Sequence, residues 1–121
     1  MLKPGDIISG DNANYKVVEY EVRDSSDSMR VCFTAFLILE VQRTNDLMFN
    51  LHHPWFPAKA KYITICCPQL WIDCAAQYAD SDGRRLGSMD RLFPDIVNIV
   101  KPICKMLFNL TAIEERRRKQ R

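Results

Sequence analysis

The feature that most restricts what this chain can fold into is its C-terminal stretch, residues 94–121, PDIVNIVKPICKMLFNLTAIEERRRKQR. Ile96, Val100, Ile103, Leu107 and Leu110 follow one another at alternating gaps of four and three residues, and Val97, Ile99 and Cys104 widen the face. That spacing draws an apolar stripe along one side of a helix, and a stripe this broad requires a surface to pack on. Pro102 removes one intrahelical hydrogen bond and disfavours helical angles at Lys101. The stripe continues in phase past it, which predicts a kinked helix or two helices meeting near Lys101. Ser88 or Asp90 is the expected cap at the start of the region.

The receiving surface has to come from the N-terminal half. Residues 15–23 alternate in the manner of a strand, and Lys16, Val18, Tyr20 and Val22 are the set expected to face the core. A polar connection, DSSDS, follows. Residues 29–43 form the best strand pattern, with Met29, Val31, Phe33, Ala35, Leu37, Leu39 and Val41 on one side. Its middle, residues 32–39, is apolar on both faces, as expected of a central strand covered on each side, and its length calls for a bend or bulge. Residues 47–51 read as a return strand and residues 61–67 as another. Residues 69–79, where Leu70, Trp71, Cys74, Ala75 and Tyr78 recur at helical gaps after Pro68, read as a short helix, with a strand through Trp71 as the alternative. Residues 81–87 read as a loop.

The expected fold is therefore α+β. A bent antiparallel sheet of about five strands carries a short helix and a kinked C-terminal helix packed on it. One domain spans 1–121, with the sheet in 5–67, the helical part in 68–119 and a basic tail at 114–121. The opening KPGDIISGDNANYKVVEY resembles the strand-turn-strand of small SH3-like barrels. The resemblance implies a half-barrel curvature, covers less than a fifth of the chain and carries no site residue over.

An apolar share of 47% and a charged share of 26% are those of an ordinary globular chain, which excludes a disordered one. No apolar run follows the N-terminus and no segment has roughly 18 uninterrupted apolar residues, so neither export nor a membrane is expected. Five cysteines, an odd number, then read as reduced core thiols of a cytoplasmic protein.

Charge distribution says more about function than the total of +2 does. The last eight residues hold five cations against two carboxylates. Arg116, Arg117, Arg118, Lys119 and Arg121 are candidates for phosphate contact, joined by Arg84 and Arg85, and by Arg91, if their loop lies alongside. The competing reading is that these cations offset the helix dipole. His53, Trp55 and Phe56 occupy a proline-bounded loop ahead of Lys59 and Lys61. They offer an aromatic surface to bases or to a protein, or else plug one end of the sheet core.

His52, His53, Cys66, Cys67 and Cys74 lie close in sequence, but as adjacent pairs. Adjacent strand residues point to opposite faces and cannot easily share an ion, so no metal is expected. The two histidines are neighbours, no Gly-rich phosphate loop or nucleophile motif occurs, and neither cofactor nor catalysis is expected. The reading is a small non-enzymatic nucleic-acid-binding module acting through its basic helix end. The alternative is a protein adaptor or inhibitor docking through the Trp55–Phe56 loop or the helix face, where surplus apolar surface would also suit a homodimer.

Overall fold

In the computed structural model, which describes residues 2–89 and 92–120, one antiparallel sheet follows chain order. Its strands are β1 (Ile7–Ser9), β2 (Ala13–Asp24), β3 (Phe33–Arg43), β4 (Tyr62–Cys67), β5 (Ala75–Ala79) and β6 (Arg85–Met89). A short helix, α1 (Asp46–His52), joins β3 to β4, a 3-10 turn (Trp71–Asp73) precedes β5, and α2 (Pro94–Lys119) packs on the sheet. The α+β architecture is the expected one, with six strands. β1 and β6 stand at opposite edges, and no pairing among the described residues closes the meander into a barrel.

The core lies between α2 and one face of the sheet. Ile96, Val100, Ile103 and Leu107 of α2 are buried with Ala35, Leu37, Leu39 and Val41 of β3 and with Ile63 and Ile65 of β4. The apolar stripe of α2 thus meets every second residue of the central strands, the period-2 match to a helical ridge. Among the described residues, the opposite sheet face carries no such cover. Phe36, Ile38 and Cys66 are half-buried there, and the Arg23 guanidinium lies 4.3 Å from the Phe36 ring centroid. The expectation that β3 would be covered on both sides is corrected accordingly.

In β2 the alternation reverses midway. Ala13, Tyr15 and Val17 are buried, whereas beyond Val18 it is Tyr20 and Val22 that turn inward. Val17 pairs with Leu39 and Glu19 with Ile38, so Val18 is an extra residue, a bulge that moves the inward set by one. The expected inward set holds only for Tyr20 and Val22; Lys16 and Val18 are exposed.

Three further assignments change. Residues 47–51 are helical, because the Asn45 side chain caps α1 by accepting from the Met48 amide at 3.1 Å and Asp46 occupies the first turn. Residues 75–79, expected in a helix, are strand β5, so the sheet extends beyond residue 67. Cys74, Ala76 and Tyr78 are buried while Ala75 and Gln77 are exposed, and this two-residue period prevailed over helical spacings that arose by coincidence. Residues 85–87, expected in a loop, belong to β6. The β5–β6 turn is held by Asp80, whose Oδ1 accepts the amides of Asp82 and Arg84, with Gly83 at φ 81 supplying the left-handed step.

α2 runs unbroken through Pro102. It starts at Pro94 with Phe93 as N-cap; Ser88 lies in β6, and Asp90 falls outside the described residues. By length and composition α2 could cross a membrane, a test that the core helix of a sheet protein also passes. Its most buried side chains are those facing the sheet.

Candidate nucleic-acid interface

α2 positions the cations. Its inward face is spent on the sheet, so the charged residues between the buried ones emerge on its flanks. Lys101, Lys105, Phe108, Ala112, Arg116 and Lys119 follow at gaps of three and four residues and share one flank. All except Ala112 are exposed, and from Lys101 to Lys119 the row extends about 27 Å along the axis. Exposed Glu115 borders it.

Two exposed aromatic side chains belong to the same surface. The Lys101 ammonium lies 5.0 Å from the centroid of the Trp71 ring, within the range of a cation–π contact. Gln69 donates to the Thr111 hydroxyl, which in turn donates to the Leu107 carbonyl at 2.9 Å. The segment carrying Trp71 is therefore tied to α2 at two points, and Phe108, 60% exposed, emerges between them.

The basic tail divides into engaged and unengaged cations. Arg118 donates from Nη1 to the Asp27 carbonyl oxygen at 2.9 Å, an exposed bond that docks the helix end on the β2–β3 connection. Ser26 hydrogen bonds hold the Asp24 carboxyl below its usual range, and the amides of Arg30 and Met29 do the same for Asp27; Arg118 adds to both. Arg117 approaches Glu114 at 3.8 Å, a loose exposed pair of little energetic weight. No ion pair among the described residues engages Arg116 or Lys119; Arg121 lies outside them.

Arg84 and Arg85 do not join this surface. Arg85 pairs with Ala79, Ala79 with Tyr62 and Tyr62 with Glu40, whereas the tail docks where Asp24 pairs with Phe33. Glu40 and Phe33 are seven positions apart on β3, so the two basic groups sit at opposite ends of the sheet, about 24 Å apart along the strand. Arg91 lies outside the described residues.

The aromatic loop is mostly interior. Of its three candidate residues, His53 and Phe56 are 7% and 5% exposed, and Trp55, at 53%, reaches solvent. Phe49 stacks edge-on against His53 and Phe56 with centroids at 4.7 and 5.1 Å, and His53 lies 4.3 Å from Phe93. The Arg43 guanidinium covers Phe49 and Phe56 and donates to the Pro57 and Ala60 carbonyls, closing that end of the sheet. His53 Nδ1 finds no partner among the described residues, and burial pushes its imidazole below the ordinary value.

The buried thiols behave as core. Cys74 Sγ lies 3.9 Å from Cys104 Sγ. Burial first, then Cys74, pushes the Cys104 thiol up to about 12, and Cys74 is raised too, chiefly by its hydrogen bond with Cys67. Such thiols stay protonated and unreactive. No metal-binding cluster occurs among the described residues.

Lys101, Lys105, Trp71 and Phe108 were not singled out from the sequence. The two lysines and Phe108 could have been found by reading the polar side of the helical wheel as closely as its apolar side. Trp71 could not, because only the tertiary fold brings it to Lys101. No family model, no curated protein and no solved structure matches the chain.

Proposed function

We propose that the protein is a non-catalytic module that binds single-stranded nucleic acid along the outer flank of α2. Lys101, Lys105, Arg116 and Lys119 contact phosphates, and Trp71 and Phe108 offer flat faces on which bases stack. The observation that carries this reading is the row of four exposed cations on one flank with two exposed rings beside it. Cations tracking a backbone, interleaved with aromatic platforms, are what sequence-tolerant recognition of single strands requires.

The test is fluorescence anisotropy of short labelled DNA and RNA strands titrated with the protein over a range of salt. Four phosphate contacts predict a log–log salt slope of about −3 for a single strand. Lys101→Ala with Lys105→Ala reduces the slope by about one to two, and Trp71→Ala weakens binding by about 1–3 kcal/mol. Absent or salt-insensitive binding to both strands defeats the reading.

A protein partner is the second reading, favoured by Leu70 and Ile72, which flank Trp71 and are 56% and 66% exposed. Large apolar side chains grouped around an aromatic anchor suit a protein interface. Under this reading a captured partner is retained at high salt and lost on Ile72→Glu.

A further inference from the structure

On the flank of α2 opposite the lysine row, a groove of about 810 Å³ runs between the helix and the β1–β2 edge. Its volume lies within the range of small-molecule sites. Leu2, Ile8, Tyr20, Ile99, Ile103 and Met106 line its apolar length. Its other end is built from acceptors. Asp11 and Asp95 both line it, and Asp95 is fixed by the Tyr15 hydroxyl, which donates to Oδ2 at 3.0 Å and leaves the second carboxylate oxygen for another donor. The Gly10 backbone packs so close to this carboxylate that a Cβ there would collide with it.

Pro102 adds a further acceptor. It has no amide hydrogen, so the Asn98 carbonyl loses the donor that an ordinary residue at 102 would supply. Both Asn98 and Pro102 line the groove. Two carboxylates and the Asn98–Pro102 step thus line the same apolar trough, with no cationic side chain among its described lining residues.

We propose that this groove is a binding site for a small cationic amphiphile. An ammonium head sits among Asp11, Asp95 and the Asn98 carbonyl, and an apolar body lies along Ile99 and Ile103 toward Met106. From Asn98 to Met106 the helix rises about 12 Å, which sets the length of the apolar body to that of a medium alkyl chain. Charge complementarity selects the sign of the head group, since an anionic head would face two carboxylates. The site lies on the other flank of α2 from the nucleic-acid surface and does not depend on that reading.

Calorimetric titration of the full chain at neutral pH with n-decylammonium, n-decanol and n-decanoate tests the proposal. Saturable binding of one decylammonium per chain is expected, with decanoate about tenfold weaker or worse. Asp11→Asn, at an exposed position, and Pro102→Ala, which restores the amide donor to Asn98, each weaken decylammonium several-fold and leave decanol unchanged. Met106→Trp, checked for folding by circular dichroism, fills the trough and weakens all three. Decanoate binding as tightly as decylammonium, no saturable decylammonium binding, or affinity indifferent to both Asp11→Asn and Pro102→Ala would overturn it.

Discussion

The hydroxyl of Tyr15, fully buried in β2, donates to the carboxylate of Asp95 in the first turn of α2, joining residues 80 positions apart. Burial first, then Asp95, pushes the Tyr15 phenol far above its usual range, so it is a protonated donor at neutral pH. Tyr15→Phe should cost about 1.5–3 kcal/mol in urea unfolding, the loss of one hydrogen bond to a charged acceptor. Gly10→Ala should also be destabilising, by about 1–3 kcal/mol of overpacking, because the new methyl displaces the same carboxylate.

Deleting Val18 removes the bulge and leaves Val17, Tyr20 and Val22 in regular alternation toward the core. The shortened protein should retain a single cooperative thermal transition. Deleting Ile38 from β3, where pairing with β4 is continuous, turns the following side chains to the wrong face and should abolish that transition. Circular dichroism melts of the two deletions separate these outcomes.

The same bulge marks the limit of what the sequence discloses. The helix over residues 94–119 and the inward set of β3 were readable because a long element repeats its period often enough to outweigh local exceptions. In β2 the three residues on either side of Val18 each obey the alternation, and nothing in the residue types says that the phase changes between them. Residues 74–78 satisfied a helical and a strand pattern together, and the neighbouring strand β4 decided between them. For the site, the basic helix end was legible as charge, but its division into docked Arg118 and unengaged Arg116 and Lys119 depends on where the β2–β3 connection ends up.

That division makes an uneven mutational series. Arg116→Ala and Lys119→Ala should each lower the salt slope of nucleic-acid binding by about one unit. Arg118→Ala should leave the slope nearly unchanged and lower stability by no more than about 1 kcal/mol, since its bond to Asp27 is solvent-exposed. Anisotropy and urea melts of the three variants, measured side by side, check the order.

His53 should give the fold an acid sensitivity. Its imidazole titrates below the ordinary 6.5 because burial disfavours the charged form, so the unfolded chain takes up the proton first as pH falls. Stability is full above the ordinary histidine value and declines as pH drops through 6.5 toward the lower folded value. Replacing the imidazole by a ring that cannot titrate, His53→Phe, should flatten the dependence of the urea midpoint between about pH 7 and pH 5.5. An unchanged slope in the variant would assign the sensitivity to other groups.

Among the described residues, the six strands all precede α2 in the chain, and each pairs with its sequence neighbour. During synthesis the sheet can therefore zip hairpin by hairpin from its N-terminal edge, at little cost in loop closure. Its greasy side, with Leu37, Leu39, Ile63 and Ile65, is then assembled before the last 26-residue element emerges to shield it. A nascent chain halted ahead of Pro94 presents a bare adhesive sheet, the kind of surface that chaperones hold and that self-associates when they do not.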